Sequence, residues 1–278
     1  MNKDIKVFVA DVDGTLRSRT RPLPGPLTIS AFEEMHRQGY LLGIASGRPL
    51  WQSLKDHYKE WKLSFQFDFL IGMNGGEIWT KEDDQKRTYY PLTREQLEQI
   101  VITFKDVKGI NPFVYREGCE LTRYVDDEII QSSLRHSCRF EACTSDADLY
   151  SEDTGKILYR CETEEIALYL EKLGKEKFSP EIACFRTSSK LVELQNSIVS
   201  KGSGIKTYCQ THNIPLESVI AFGDAENDIE MLKVVGHSVA LKDGMNNVKA
   251  ITKDITEYDA GEDGVGHYLW DHLLKESD

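Results

Sequence analysis

Short apolar runs alternate with helix-like segments over the first eighty residues of the chain. The runs at residues 5–10, 40–45 and 67–71 have the length and composition of strands that are buried on both faces of a sheet. Between them, Thr28 is expected to cap one helix, and residues 49–60 are expected to form another. Strands that alternate with helices in this way predict a parallel sheet.

The alternation is interrupted in the middle of the chain and resumes near residue 191. Residues 77–90 predict a β-hairpin. The elements predicted next are helices at 97–104 and 164–173 and strands at 112–115, 120–124 and 156–161. Those predicted after residue 191 are helices at 202–212 and 226–234 and strands at 218–222 and 238–240. We therefore predict an α/β fold in which a Rossmann-like parallel-sheet core, residues 1–88 and 187–278, carries an inserted α+β domain at 89–186.

Composition and charge limit the classes of function. The chain has 278 residues, enough for two domains with substantial cores. Its net charge of −12 argues against nucleic acid or an anionic membrane as a main partner. The sequence has neither an apolar run of membrane-spanning length nor a signal-peptide pattern, so we expect a cytoplasmic protein. Its six cysteines show no zinc-ligand spacing, which is typical of reduced structural thiols.

Two carboxylates, Asp11 and Asp13, come directly after the first predicted strand. In an open parallel sheet, ligands bind outside the carboxyl ends of the strands, so these residues lie where chemistry can occur. If the chain stays extended, both side chains leave it on the same side. They could then share a metal ion, or one could act as a nucleophile and the other as an acid and base.

A second acidic sequence, GDAEND at positions 223–228, follows the apolar run at 219–222. Asp224, together with Asp11 and the backbone of Asp13, would form a set of hard oxygen ligands suited to Mg²⁺. The alternative is a turn that ends in a helix cap.

Positive charge and phosphate contacts are expected at the same edge of the sheet. Lys201 starts a predicted helix, where it opposes the helix dipole, so it either stabilises a phosphoryl group and an attacking carboxylate or is a solvated surface lysine. Ser46 offers a hydroxyl and Gly47 a backbone N–H to phosphate oxygens, although Ser46 could also be a helix N-cap. Arg48 either faces the pocket or pairs with a core acid.

Basic residues are also concentrated in the sequence RSRTR at positions 17–21. This loop is either solvated, or one of its arginines attracts a second anionic group of the substrate.

Together these residues resemble the four ordered motifs of the haloacid dehalogenase (HAD) superfamily. The motifs are DxDGT at 11–15, SGR at 46–48, Lys201, and GDxxND at 223–228. More narrowly, the chain is similar to the Cof-type phosphatases, in which a large C2-type cap is inserted between the second and third motifs. Further matches are NGG at 74–76 and EDGV at 262–265, and the resemblance covers about 1–85 and 187–278. The sequence at 241–244 departs from the Gly-Asn-Ala turn that is frequent in the family, and Lys242 or Asp243 is expected to adjust the approach of substrate.

The resemblance implies a role for each motif residue. Asp11 would be the nucleophile that forms an aspartyl-phosphate, Asp13 the acid and then the base, and Lys201 the cation that neutralises Asp11 and the phosphate. The residues implied to contact the substrate are Ser46, Gly47, Arg48, Asn74 and Asn227. The implied Mg²⁺ ligands are Asp11, Asp13 through its carbonyl, Asp224 and Asp228.

The implied activity is Mg²⁺-dependent hydrolysis of a small phosphorylated metabolite, such as a sugar phosphate or a nucleotide-derived phosphate. The inserted domain would set the specificity and exclude bulky phosphoproteins. The alternatives are a phosphotransferase or phosphomutase of the same superfamily and a non-catalytic metabolite-binding protein. We expect a monomer or a weak homodimer.

Overall fold

The computed structural model of the chain describes residues 5–18, 20–50, 52–136 and 138–274. Residues 1–4, where a signal peptide would begin, Arg19 of the basic loop and Trp51 of the predicted helix over 49–60 lie outside the described residues. The chain forms two compact units, the first from residues in 1–50, 54–87 and 200–278 and the second mainly from Thr88–Val199.

The strands and helices are numbered here in chain order. The strands are β1 (Val7–Ala10), β2 (Leu41–Ala45), β3 (Phe69–Gly72), β4 (Glu77–Thr80), β5 (Gln85–Thr88), β6 (Ile110–Arg116), β7 (Cys119–Thr122), β8 (Arg139–Ala142), β9 (Lys156–Cys161), β10 (Ile182–Ser188), β11 (Leu191–Asn196), β12 (Val219–Gly223), β13 (His237–Ala240) and β14 (Asp254–Ile255). The helices are α1 (Pro26–Arg37), α2 (Gln52–Lys55), α3 (His57–Glu60), α4 (Arg94–Phe104), α5 (Asp127–His136), α6 (Glu164–Phe178), α7 (Lys201–Thr211), α8 (Ile229–Val234), α9 (Asn246–Lys249) and α10 (Gly264–Leu269).

The sheet of the first unit has the strand order β14-β13-β12-β1-β2-β3-β4-β5. The six strands β14, β13, β12, β1, β2 and β3 run parallel to one another, and β4 is antiparallel to β3. Strand β1 lies between β2 and β12, and all four of its residues are fully buried. The predicted fold class is therefore confirmed, and the carboxyl ends of β1, β2 and β12 meet at one edge of the sheet.

Aromatic packing holds these central strands in place. The Phe8 ring meets Phe32 of α1 edge-on at 5.0 Å between centroids, and Phe222 of β12 lies 5.5 Å from Phe8. Burial of such a side chain is worth roughly 1.5–3 kcal/mol. This packing therefore anchors β1 and β12, whose carboxyl ends lie at that edge of the sheet.

The predictions for the first two helices are wrong in part. Helix α1 begins at Pro26, whose fixed φ suits the first turn, so Thr28 lies inside the helix rather than at its N-cap. The predicted helix over 49–60 is two short helices, α2 and α3, because Asp56 between them has non-helical backbone angles.

The sheet of the second unit has the order β10-β11-β9-β6-β7-β8 and is antiparallel except between β7 and β8. One face packs against α4 and α6. The predicted return to a parallel core near residue 191 is wrong, because Val192 and Leu194 of β11 pack in the core of this second unit. The unit consequently extends to Val199 instead of ending at 186, and its role as a specificity cap stays a prediction.

No helix in the described part of the chain combines the length and the apolar character that crossing a membrane requires.

Candidate active site

Three carboxylates lie together at the edge where β1 and β12 end. Asp11 follows β1, Asp224 follows β12, and Asp228 ends the 3₁₀ turn Glu226–Asp228. Each offers one oxygen, and these oxygens lie within 4.8 Å of one another. A compact set of hard oxygen atoms can hold a divalent cation.

Lys201, the first residue of α7, neutralises part of this negative charge. Its side chain is 0% exposed, and its Nζ donates to Asp11 Oδ1 and, at 2.6 Å, to Asp228 Oδ1. Burial would lower the pKa of Lys201, but the two carboxylates outweigh it and raise the pKa above its ordinary value. The lysine is therefore a buried cation, and the alternative of a solvated surface lysine is excluded.

The two acidic motifs also bind each other through short side chains. Thr15 Oγ1 donates to Asp224 Oδ1 at 2.6 Å. Gly14, at φ +101°, lies so close to Asp224 that a Cβ there would be 2.8 Å from the carboxylate carbon. Asp228 Oδ2 accepts from the Asp224 backbone N–H at 2.9 Å and fixes the loop that carries Asp224. A Cβ at Gly223 would likewise be 2.7 Å from the carboxylate carbon of Asp228, so neither motif has room for a side chain at its glycine.

Burial among like charges raises two carboxyl pKa values. Burial raises the pKa of Asp11 to about 7, although Lys201 opposes the shift. Burial likewise raises the pKa of Asp224 to about 6 against the hydrogen bond from Thr15. A bound cation would favour the ionised forms of both groups.

Asp13 does not join this group of carboxylates. The expectation that it shares an extended chain with Asp11 is wrong, because the strand ends at Ala10 and the chain turns, with Arg17 N–H donating to Val12 O at 3.1 Å. Asp13 Oδ1 accepts from Arg17 Nε at 2.8 Å. Burial would raise the pKa of Asp13, but Arg48 and Arg17 hold it below its ordinary value.

Arg48 lies against Asp13, with its Nε 2.9 Å from Asp13 Oδ2. Arg48 thus pairs with an acid, although Asp13 is half-exposed and does not belong to the core, and a contact between Arg48 and substrate stays a prediction. Within the basic loop, Arg17 contacts Asp13, and Arg21 lies 3.8 Å from Asp263. These two arginines therefore have acidic partners and are not simply solvated.

The remaining predicted substrate contacts, Ser46, Asn74 and Asn227, form a polar row that begins at the end of β2. Ser46 is buried, and its Oγ accepts from Arg48 N–H at 3.2 Å, which makes it a turn residue since the next helix begins at Gln52. Asn74 has a left-handed backbone, with φ +55°, and its N–H donates to Ser46 O at 3.0 Å. Asn227 Nδ2 donates to Asn74 Oδ1 at 3.5 Å.

Gly47 lies beside this row. A Cβ at Gly47 would be 3.0 Å from Asn74 Oδ1. Ser46, Gly47, Asn74 and Asn227 are thus brought together, whereas the Arg48 side chain contacts Asp13 instead.

Asp263 is a positioning residue whose role the sequence did not reveal. It has a left-handed backbone, and its carboxylate accepts from Leu27 N–H at 2.8 Å and from the Thr28 backbone and hydroxyl. It therefore caps α1, the helix that follows the loop carrying Asp11 and Asp13. The EDGV match at 262–265 pointed to this segment, but it did not assign a role to Asp263.

Glu77 is a second residue that the sequence did not single out. Its Oε2 accepts from Leu50 N–H at 2.7 Å, so it holds the segment that follows the SGR motif.

The turn at 241–244 is tied to the core by its polar atoms. Asp243 Oδ1 accepts from Ala260 N–H at 3.2 Å, and Lys242 N–H donates to Thr256 Oγ1 at 3.0 Å. The Asp243 carboxylate therefore has a structural contact, and an effect of this turn on substrate approach stays a prediction.

Known proteins resemble this chain over nearly its whole length. A family model described as haloacid dehalogenase-like hydrolase matches residues 8–269. A 5-amino-6-(5-phospho-D-ribitylamino)uracil phosphatase of Bacillus subtilis strain 168 is 24% identical over 271 residues, which cover 96% of this chain and 97% of that protein. An HMP-PP phosphatase of Yersinia enterocolitica is 25% identical over 264 residues, which cover 93% and 92%. A haloacid dehalogenase-like hydrolase structure from Bacteroides thetaiotaomicron superposes with a TM-score of 0.85 at 22% identity, covering 96% of this chain and 99% of that one.

Proposed function

We propose, from the premise that the chain belongs to the haloacid dehalogenase-like hydrolases and to their Cof-type phosphatases, that it hydrolyses small phosphorylated metabolites with the help of Mg²⁺. The observation that carries the proposal is the fully buried Lys201, whose Nζ donates to Asp11 and Asp228, two members of the three-carboxylate group. A buried cation between carboxylates is costly unless its charge is used, so the arrangement favours catalysis over structural stability alone.

In the first step, a carboxylate oxygen of Asp11 attacks the phosphorus atom. The bond from phosphorus to the leaving alcohol oxygen breaks, and that oxygen takes a proton from the Asp13 carboxyl group. Lys201 contacts Asp11 and offsets the repulsion between the carboxylate and the anionic ester.

In the second step, water attacks the aspartyl-phosphate on Asp11. Asp13, now ionised, takes a proton from that water, and the bond between phosphorus and Asp11 breaks to release phosphate. After each turnover Asp13 thus carries a proton again, and Asp11 is again a free carboxylate.

The three-carboxylate group fits the proposed metal. Asp11, Asp224 and Asp228 present oxygen ligands within 4.8 Å of one another, and the sequence assigns the Asp13 carbonyl to the same set. When bound there, Mg²⁺ would offset the negative charge of the carboxylates and the phosphoryl group.

The polar row at the end of β2 supplies hydrogen bonds for the phosphoryl oxygens. In this role we place the Ser46 hydroxyl, the Gly47 backbone N–H, and the side-chain amides of Asn74 and Asn227. Asn227 and Asn74 are held together by a hydrogen bond, and donors fixed by the fold lower the energy of charge that develops during transfer.

The substrate class rests on the relatives, two of which are named as phosphatases of small metabolites. A phosphotransferase would use the same residues, but it would pass the phosphoryl group to an alcohol. The proposal includes a cytoplasmic protein, monomeric or weakly dimeric, and the net charge of −12 argues against a nucleic-acid partner.

The test is a panel of sugar phosphates and nucleotide-derived phosphates, assayed for free phosphate with Mg²⁺ and with a chelator. We expect one mole of phosphate per mole of ester without an added acceptor, and loss of the activity in Asp11→Asn. The matched control is Asp106→Asn, which removes the charge of an exposed aspartate in the second unit. Full activity in Asp11→Asn would refute the mechanism, and release that requires an acceptor alcohol would favour the phosphotransferase.

A further inference from the structure

The Asp13 carboxylate is bound by two guanidinium groups, of which only Arg48 belongs to a recognised motif. Arg48 Nε lies 2.9 Å from Asp13 Oδ2, and Arg48 Nη2 lies 3.1 Å from Oδ1. Arg48 therefore binds both carboxylate oxygens, the bidentate geometry in which arginine binds a carboxylate most specifically. Arg17 adds two donors to a single oxygen, with Nε and Nη2 each 2.8 Å from Oδ1.

The turn after β1 delivers the Arg17 side chain to this position. Gly14 N–H donates to Arg17 O at 2.8 Å, and Arg17 N–H donates to Val12 O at 3.1 Å. Arg17 is consequently held by its own backbone on the turn that carries Asp13. The contact between Arg17 and Asp13 is therefore supported by the backbone of the turn and does not rest on the flexible arginine side chain alone.

The exposed fractions of the Asp13, Arg17 and Arg48 side chains show that the two arginines hold the aspartate in place. The Asp13 side chain is 50% exposed, whereas those of Arg17 and Arg48 are 17% and 23% exposed. The guanidinium groups are thus embedded in the fold, and the open carboxylate is fixed against them. Without such partners an exposed aspartate populates several rotamers.

We propose that Arg17 is a positioning residue that orients Asp13 for proton transfer to the leaving group. The inference rests on the proposed function, since it assigns Asp13 the role of general acid. Arg17 already directs Nε and Nη2 at Asp13, so orientation of that carboxylate, and not capture of a second anionic group of the substrate, is the role its contacts support. Proton transfer needs the acid within hydrogen-bond reach of the leaving oxygen, so a small loss of orientation is costly.

The test compares two phosphate monoesters that differ in their need for an acid. The alkoxide of an alkyl phosphate is a poor leaving group and needs a proton, whereas the p-nitrophenolate of p-nitrophenyl phosphate is stable and leaves without one. The ratio of kcat/KM for the two esters isolates the step that needs the acid. This is because kcat/KM includes only the steps up to the first irreversible one, which is the release of the alcohol or phenol before water attacks. The ratio also cancels any difference in the folded fraction of a variant.

We expect Arg17→Gln to lower kcat/KM for the alkyl ester by about 10- to 100-fold and for p-nitrophenyl phosphate by no more than about threefold, since general acids contribute about 10²- to 10⁴-fold. Arg17→Lys should recover part of the loss, because it keeps a cationic donor. Arg21→Gln removes an equal charge from the same loop, where Arg21 faces Asp263, and it should leave the ratio unchanged.

The failure of this inference is distinguishable from failure of the proposed function. Asp13→Asn serves as the reference and should show the same selective loss on the alkyl ester. If it does, and Arg17→Gln has the wild-type ratio or loses activity equally on both esters, the positioning role of Arg17 is refuted while the phosphatase stands. A wild-type protein that releases phosphate from neither ester refutes the proposed function and this inference together.

Discussion

Replacement of Lys201 by methionine tests the charge arrangement at the centre of the site. Lys201 is fully buried between Asp11 and Asp228. Methionine keeps much of the volume but leaves two buried carboxylates without their cation, and breaking a buried pair in this way costs about 3–5 kcal/mol. We expect the free energy of unfolding at pH 7, measured without divalent cations, to fall by about this amount.

This loss should depend on pH in a defined direction. Burial raises the pKa of Asp11 to about 7 even with Lys201 present, and removal of the lysine raises it further. A carboxyl group with a raised pKa binds more protons in the folded than in the unfolded state, so stability falls as the pH rises above the unfolded value. The variant should therefore be weakest at neutral pH and recover toward pH 5.

Tryptophan fluorescence during urea unfolding can measure the change in the relevant unit. Three of the four tryptophans, Trp61, Trp79 and Trp270, belong to the first unit, and residues 88–199 contain none. The matched control is Lys206→Met, which removes an exposed lysine from the same helix. Phosphatase activity of Lys201→Met should fall by at least about 10²-fold. A stability loss below about 1 kcal/mol, or one equal at pH 5 and pH 7, would refute the reasoning.

Three further predictions follow from contacts around the site. Gly14→Ala should abolish activity, because its Cβ would clash with Asp224, whereas Gly39→Ala, at φ +80° with open space around it, should keep full activity in the same phosphate-release assay. Asp263→Ala should lower the free energy of unfolding by about 1–2 kcal/mol in urea titrations, because α1 loses its cap. Without Mg²⁺, the wild-type Tm should fall between pH 5 and pH 7.5 as Asp11, with its raised pKa of about 7, ionises in the fold, and a Tm that rises over this range would contradict the assignment.

The edge of the sheet that carries the candidate site could be predicted from the sequence, because that edge follows from strand geometry. Short buried strands end at acidic or hydroxyl residues, and the carboxyl ends of parallel neighbours must meet, so Asp11, Asp224 and Ser46 could be placed near one another before any coordinates were known. The position of Lys201 at a helix start is unfavourable for the helix and left two alternatives, a solvated lysine or a lysine at the site, and only the resemblance to the family motifs favoured the second.

Other features depend on contacts that no local pattern encodes. The alternating apolar residues of β11 fit any sheet, so only its pairing with β9 and β10 shows that it belongs to the second unit. Asp13 was expected beside Asp11 because the chain was assumed to stay extended. The turn that brings Arg17 to Asp13 is set by backbone hydrogen bonds at residues 12–17, and RSRTR alone does not predict which arginine faces inward.

The count of charges at the site bears on the proposed metal. Asp11, Asp224 and Asp228 carry three negative charges when ionised, and Lys201 supplies one positive charge, which leaves the group at −2. A phosphate monoester is itself anionic and would be repelled by this group, in a protein whose net charge is already −12. Protonation could relieve the repulsion, and the raised pKa values of Asp11 and Asp224 reflect that tendency, but a protonated Asp11 cannot attack phosphorus. A divalent cation brings the group to neutrality while the nucleophile stays ionised, so the arrangement of charges favours Mg²⁺ over protons as the partner of these carboxylates.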